Sequence, residues 1–193
     1  MKLKYPLILA SQSPRRQRLL REMGIDFTIR TREIEEVYPS GLSIPEIPGY
    51  LARKKAEAFG TLVGPEMILA ADTIVTYDNK ILGKPLDEQD ATLMLENLAG
   101  KSHEVYTGIC LRLNDHYHIT TDCTEVYFKK LSEREIGYYI QHYLPMDKAG
   151  AYGIQEWIGM IGIEKIKGSY FNVVGLPVSR VYDLLKELDL IQL

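Results

Sequence analysis

The N-terminal segment constrains the fold most, because it reads in order as a strand, a turn, a helix and a second strand. Leu7 to Ala10 is a short apolar run typical of a buried strand, and it leads directly into Ser11-Gln12-Ser13. Ser13 is a good helix N-cap and Pro14 suits the first helical position, so a helix is predicted to begin here. Phe27 to Arg30 then predicts another strand. An opening of this kind indicates an α/β protein.

The rest of the chain continues to alternate between helical and strand patterns. Helices are predicted over about 47–59, 88–98, 132–142 and 178–188, and strands over 67–71, 74–77, 80–82, 105–113, 119–128 and 158–166. Asp78-Asn79 and Asn114-Asp115 are turn signals, and each predicts an antiparallel pair of strands around it. The polar stretch 33–46 is predicted to be a loop. The expected fold class is therefore α/β, with a mixed, twisted sheet and flanking helices.

Length and charge narrow the class of protein. The chain has 193 residues and a formal net charge of −3. One domain over residues 1–193 is expected from this length. Proteins that bind mainly DNA or RNA usually carry a basic surplus, so non-specific nucleic-acid binding is disfavoured. Residues 1–6 lack the apolar stretch of a signal peptide, and no apolar run approaches the ~18 residues needed to cross a bilayer, so the cytoplasm is the expected location.

The cysteines and histidines show no spacing typical of a metal or nucleophilic site. Cys110 and Cys123 lie in apolar, strand-like stretches and are predicted to be buried free thiols. The four histidines are predicted to be structural or surface residues; they are His103, His116, His118 and His142.

The turn between the first strand and the first helix is the first candidate site. Ser11, Ser13, Arg15 and Arg16 surround a helix N-terminus, which presents free N–H groups and the positive end of the helix dipole. Hydroxyls and guanidinium groups at that point would bind phosphate strongly. The alternative is a capped helix whose arginines are simply solvated.

Asp72 is the second candidate, because it directly follows the apolar stretch 67–71. An aspartate at the end of a buried strand can act as a general base or as a ligand of a divalent metal. The alternative is a turn-forming aspartate bonded to its own backbone. Further charged residues are each better interpreted as surface charges when taken alone; they are Glu36, Lys55, Lys84, Asp147 and Lys148.

Seven stretches in order closely resemble the Maf family of nucleoside triphosphate pyrophosphatases. They are LILASQSPRRQRLL at 7–20, IEE at 34–36, LARKKA at 51–56, LAADTIV at 69–75, GKP at 83–85, MDKAGAYGIQ at 146–155 and GSYFNVVGLP at 168–177. The resemblance covers nearly the whole chain. It implies two lobes around a central cleft, as in inosine triphosphate pyrophosphatases. It also implies a divalent metal, Mg²⁺ or Mn²⁺, a homodimer, and cleavage of a nucleoside triphosphate to the monophosphate and pyrophosphate.

The resemblance also implies roles for individual residues. Asp72 would be the proton acceptor or a metal ligand, and Glu36 would bind metal or orient water. The residues that would hold the triphosphate are Ser13, Arg16, Lys55, Lys84, Asp147 and Lys148. Arg15, Thr73 and Gln155 match the branch of the family that resembles dTTP/UTP pyrophosphatases, and they would set substrate specificity. Glu156-Trp157, directly after Gln155, is bulkier than the small glycine-containing sequence often found there.

Two other functions remain as alternatives at the level of sequence. One is a pyrophosphatase for another modified or purine triphosphate, such as 7-methyl-GTP. The other is a non-catalytic nucleotide or nucleic-acid binder in septum control. Asp72, Glu36 and Lys84 favour the enzyme, since a pure binder would not need them.

Overall fold

A computed structural model describes residues 1–62 and 64–192, and the chain divides into two compact units. Unit 1 comprises Met1–Asp72, Thr107–Asp122 and Gly175–Leu193, and unit 2 comprises Thr73–Tyr106 and Cys123–Val174. The expected placement of two lobes around a cleft stays a prediction. No helix in the described part of the chain is long and apolar enough to span a membrane.

Strands and helices are intermixed along the described residues, as the sequence predicts. The strands are β1 Lys2–Leu3, β2 Leu7–Leu9, β3 Thr28–Ile29, β4 Met67–Tyr77, β5 Lys80–Leu82, β6 Ser102–Leu113, β7 His116–Phe128, β8 Ile163–Lys167 and β9 Ile191–Gln192. The helices are α1 Pro14–Glu22, α2 Ile47–Glu57, α3 Glu88–Leu98, α4 Glu133–Tyr143, α5 Trp157–Gly162, α6 Tyr170–Val174 and α7 Val178–Glu187. Short 3-10 turns cover Ile44–Glu46, Pro145–Asp147 and Ala149–Ala151.

The larger sheet is mixed, which confirms the expected fold class. Its strand order is β3-β2-β4-β6-β7-β8, with β5 also paired to β4. β2 runs parallel to both β3 and β4, whereas β5 is antiparallel to β4 and β8 is antiparallel to β7. Asp78 and Asn79, between β4 and β5, have φ angles of 50° and 56°, the left-handed conformation that a two-residue hairpin turn requires. β1 and β9 form a separate antiparallel pair that the sequence did not indicate.

The core of unit 1 forms between α2 and the sheet. Ala52 and Ala56 of α2 pack with Ile8 of β2, Ile68 of β4 and Cys110 of β6, and all five are fully buried. The contact is close because a Cβ atom added to Gly108 would lie 2.2 Å from the backbone nitrogen of Gly49. Only glycine at 108 lets the start of α2 approach β6 this closely.

The core of unit 2 forms where α3 and α4 pack together. Ala91, Leu95 and Leu98 are fully buried, as the amphipathic pattern of 88–98 predicts. α4 begins with the predicted capping box, in which Ser132 accepts from the backbone N–H of Glu135 at 3.3 Å and Glu135 accepts from the backbone N–H of Ser132 at 2.7 Å.

Two local predictions outside the candidate site are wrong. The sequence predicts one strand over 158–166, but α5 occupies Trp157–Gly162 and β8 begins only at Ile163. A Cβ at Gly159 would lie 2.0 Å from the carbonyl oxygen of Ile154, so this glycine permits a tight helical turn that a strand would not need. The apolar run alone does not distinguish a short helix from a strand. Cys110 is buried as predicted, whereas Cys123 is exposed; both are free thiols.

Candidate active site

Asp72 lies inside β4 and not at its end, which corrects the prediction from sequence. The strand runs without interruption from Met67 to Tyr77, and residues 67–72 and 74–76 are all buried. The turn-forming alternative is therefore wrong, because no turn occurs at Asp72. In the sequence, the polar pair Asp72-Thr73 resembles the end of a strand because it follows an apolar run. In the structure the strand continues through both residues.

Asp72 is paired with a lysine that a second carboxylate also contacts. The Lys55 ammonium on α2 donates to Asp72 Oδ1 at 2.5 Å and lies 2.8 Å from Glu36 Oε1. The Lys55 and Asp72 side chains are 17% and 11% exposed, so the pair is largely shielded from water, whereas Glu36 is 53% exposed. Glu36 and Lys55, which taken alone read only as surface charges in the sequence, thus meet Asp72 within unit 1.

The first turn of α1 is capped as predicted. Ser13 Oγ accepts from the backbone N–H of Arg16 at 3.5 Å, and Ser11 Oγ accepts from the backbone N–H of Ser13 at 3.2 Å. Both hydroxyls therefore lie at the helix N-terminus, where the sequence places a phosphate site. Arg15 is half-buried in the same turn.

Arg16 is not a solvated surface arginine. Its Nε donates to the carbonyl oxygen of Gly175 and its Nη1 to that of Ala71, each at 2.8 Å. Burial lowers the pKa of Arg16, and the Asp72 carboxylate opposes that shift. Arg16 thus ties the start of α1 to the residue that precedes Asp72 in β4, a structural role that its sequence motif does not reveal.

In unit 2, Lys148 is the centre of a second charged cluster. Its ammonium lies 2.6 Å from Asp147 Oδ1 and 3.0 Å from Glu156 Oε1. Lys84 is exposed. Its loop contacts the segment that follows Lys148, because the Gly150 N–H donates to the Gly83 carbonyl at 3.0 Å. Sequence reasoning gave Glu156 no role, since a carboxylate at that point matches no motif.

The two remaining specificity candidates lie in unit 2. Thr73 follows Asp72 in β4, and Gln155 lies two residues before α5; both are half-buried.

The carboxylates of Glu36 and Asp72 fit the oxygen-ligand chemistry of a divalent cation such as Mg²⁺. Both face the same ammonium of Lys55, so they converge on one cationic point. Within residues 1–62 and 64–192, no group of three or more histidine, cysteine, aspartate or glutamate side chains is arranged to hold a metal. Two carboxylates are nevertheless a common protein contribution for Mg²⁺, which takes its other ligands from substrate phosphates and water.

These features define an α/β protein whose charged side chains suit a polyanionic ligand. The chain belongs to the Maf family, because a family model described as Maf-like protein matches residues 6–188. This family was the one indicated by the seven sequence motifs.

Curated relatives match the chain over nearly its full length. A dTTP/UTP pyrophosphatase of Phocaeicola vulgatus is 53% identical over 187 residues, which are 96% of this chain and 97% of that protein. Proteins of the same name from Bacteroides fragilis and Bacteroides thetaiotaomicron are each 49% identical, with the same coverage. Among solved structures, a HAM1 protein from Coxiella burnetii aligns with 95% of this chain and 99% of its own at 18% identity and a TM-score of 0.49, a likeness too distant to bear on function.

Proposed function

We propose that this chain is a cytoplasmic hydrolase that cleaves dTTP and UTP to the monophosphate and pyrophosphate, and so clears nucleotides from the cellular pool. The names of relatives about half identical to the chain support the substrate. The observation that carries the chemistry is the contact between Lys55 and Asp72, which places a shielded carboxylate and its cationic partner in one small cluster. A homodimer is expected in addition.

Asp72 is proposed to accept the proton of the attacking water. β4 continues through Asp72, and Arg16 donates a hydrogen bond to the carbonyl oxygen of Ala71, the residue before it. The backbone that carries the Asp72 carboxylate is therefore held in place. Proton transfer requires a group held within hydrogen-bond reach of the water, and a rigid strand meets that need better than a loop. Attack occurs at the α-phosphorus, and pyrophosphate is the leaving group.

Glu36 and Asp72 are the residues that would hold the divalent cation, Mg²⁺ or Mn²⁺. When bound, the cation supplies positive charge that offsets the charge of the triphosphate. Lys55 would then move its hydrogen bonds from these carboxylates towards phosphate oxygens.

The remaining residues are proposed to bind substrate. Hydroxyl, guanidinium and ammonium groups stabilise the charge that develops on phosphate oxygens. Asp147 is included because it pairs with Lys148. The proposed set is Ser13, Arg16, Lys55, Lys84, Asp147 and Lys148. Arg15, Thr73 and Gln155 are proposed to set specificity. The Gln155 amide offers both a donor and an acceptor, which matches the O4 and N3–H edge shared by uracil and thymine.

Turnover of a nucleotide panel tests this proposal. The purified protein is assayed with dTTP, UTP, CTP, GTP and 7-methyl-GTP, with and without Mg²⁺ or Mn²⁺, and pyrophosphate is detected. We expect metal-dependent turnover that is fastest with dTTP and UTP. Asp72→Asn should reduce kcat by about a hundredfold or more, the scale of losing a positioned acid–base group. Asp78→Asn, at an exposed turn that tolerates asparagine, is the matched control.

Three other outcomes would each contradict a different part of the proposed function. Preference for 7-methyl-GTP would contradict the assigned substrates and favour the purine alternative. Nucleotide binding without turnover under any divalent metal would favour the non-catalytic binder. Near-normal turnover by Asp72→Asn would remove Asp72 from its role as proton acceptor.

A further inference from the structure

Glu156 is the best-anchored acidic side chain in the Lys148 cluster. The Lys148 side chain is only 9% exposed, so its ammonium needs counter-charges close by. Asp147 and Glu156 supply them, but the Asp147 side chain is 61% exposed, whereas that of Glu156 is 25% exposed. The two partners of Lys148 therefore differ in how firmly they can hold it.

Both oxygens of Glu156 have a partner. Oε1 faces Lys148, and Oε2 accepts a hydrogen bond from the hydroxyl of Tyr139. That hydroxyl accepts in turn from the backbone N–H of Gly153 at 3.0 Å, and the Tyr139 side chain is fully buried. Burial first, and the Glu156 carboxylate second, raise the pKa of Tyr139, so its hydroxyl remains a donor.

The backbone around Gly153 confines the same carboxylate sterically. A Cβ atom at Gly153 would lie 2.8 Å from Cδ of Glu156, so the side chain packs directly against the glycine backbone. The Glu156 N–H also donates to the Gly153 carbonyl at 3.0 Å, which closes a short turn around Gln155. The carboxylate is thus held by a hydrogen bond, an ion pair and a steric contact.

We propose that Glu156 is a positioning residue, which fixes the Lys148 ammonium for binding the triphosphate and is itself fixed by Tyr139. The inference rests on the proposed function, in which Lys148 contacts phosphate. Without Glu156, the ion pair left to Lys148 among the described residues is with the exposed Asp147 next to it in the chain, and its ammonium would sample more orientations. Substrate binding would then have to restore the lost order, which weakens affinity.

Steady-state kinetics of the full-length protein with dTTP and UTP test the proposal. Glu156→Gln keeps an acceptor for Tyr139 but removes the charge, and we expect KM to rise roughly three- to tenfold with kcat little changed, which is the scale of one ordinary hydrogen bond. Tyr139→Phe should raise KM in the same direction but less. Glu164→Gln, on an exposed part of β8, is the matched control and should leave both constants as in the wild type. Circular dichroism checks that each variant is folded.

The Lys148→Met background separates positioning from a merely structural role. There Lys148 is absent, so Glu156→Gln has no ammonium to misplace and removes only a negative charge that would repel the substrate. We expect the same substitution to leave KM unchanged or to lower it in this background. A structural role would instead impair both backgrounds alike.

Failure of this inference differs from failure of the proposed function. If the wild type and Glu164→Gln hydrolyse dTTP or UTP but Glu156→Gln matches them, Glu156 does not position Lys148. A lower KM in Glu156→Gln would also overturn the inference, because Glu156 would then compete with substrate for Lys148. An inactive wild type would overturn the proposed function, and this inference with it. If Glu156→Gln does not fold, an unchanged KM in Tyr139→Phe overturns the inference.

Discussion

The burial of His103 in unit 2 makes the free energy of unfolding depend on pH. Its side chain is 3% exposed, and its Nε2 lies 2.8 Å from the hydroxyl oxygen of Tyr152. Among the described residues, Nδ1 has no hydrogen-bond partner. Protonation would place a buried charge on a ring with no acceptor for one of its N–H groups, and burial accordingly lowers the pKa of His103 from 6.5 to about 4.

The sign and size of the effect follow from linkage. The unfolded chain binds the proton more tightly than the folded chain, so the free energy of unfolding falls as pH drops from above 6.5 towards about 4. Below the lower pKa the effect levels off, at a total of about 3 kcal/mol. Between pH 8 and pH 5, His103 alone should cost about 2 kcal/mol of stability.

Urea unfolding at pH 8, 6.5 and 5 measures this contribution. His103→Gln retains a group that can bond to the Tyr152 hydroxyl but does not titrate, so the difference in unfolding free energy between wild type and variant should change by about 2 kcal/mol over that range. His116→Gln, at an exposed residue, is the control and should show the pH dependence of the wild type. Fluorescence and circular dichroism must give coincident transitions for this comparison to hold. A difference that stays constant with pH would refute the burial of a neutral imidazole.

Two further predictions concern the packing that supports the candidate active site. Arg16→Lys should lower the free energy of unfolding by about 2 kcal/mol, because an ammonium cannot reproduce the separate Nε and Nη1 bonds to Gly175 and Ala71; urea unfolding that matches the wild type would contradict this structural role. Gly108→Ala should destabilise by roughly 3 kcal/mol or prevent folding, since its new methyl group would overlap the Gly49 backbone. Gly137→Ala in α4, where a Cβ meets nothing within 4 Å, should leave the thermal midpoint unchanged or raise it slightly; equal effects of the two substitutions would refute the packing argument.

The sequence predicts most of the elements because their signals are local. The Ser13 cap, the Asp78-Asn79 turn and the apolar stripe of 88–98 each depend on neighbours a few residues away. The failures have a different physical origin. β4 continues through Asp72, whose carboxylate is paired with Lys55, a residue distant in sequence, and no local pattern records that partner.

The candidate site was predictable as a set of residues but not as a geometry. The motifs name Glu36, Lys55 and Asp72, yet nothing in their spacing says that one ammonium contacts both carboxylates. Arg16 illustrates the same limit, since its guanidinium bonds to two backbone carbonyls that are remote in sequence. Glu156 could have been found only from contacts, because its partners Lys148 and Tyr139 are brought to it by the packing of unit 2.

The charge around the two lysines assigns them different physical roles. In unit 1, the carboxylates of Glu36 and Asp72 contact Lys55 and also favour the charged form of Arg16, so two cations share them. In unit 2, two carboxylates surround Lys148, and the cluster has a local surplus of negative charge. Such a lysine attracts a polyphosphate weakly from a distance, because the field of its ammonium is cancelled before it reaches solvent. What Lys148 can offer is a short-range hydrogen-bond donor, and a donor of this kind depends on its direction, which is the property that Glu156 and Tyr139 control.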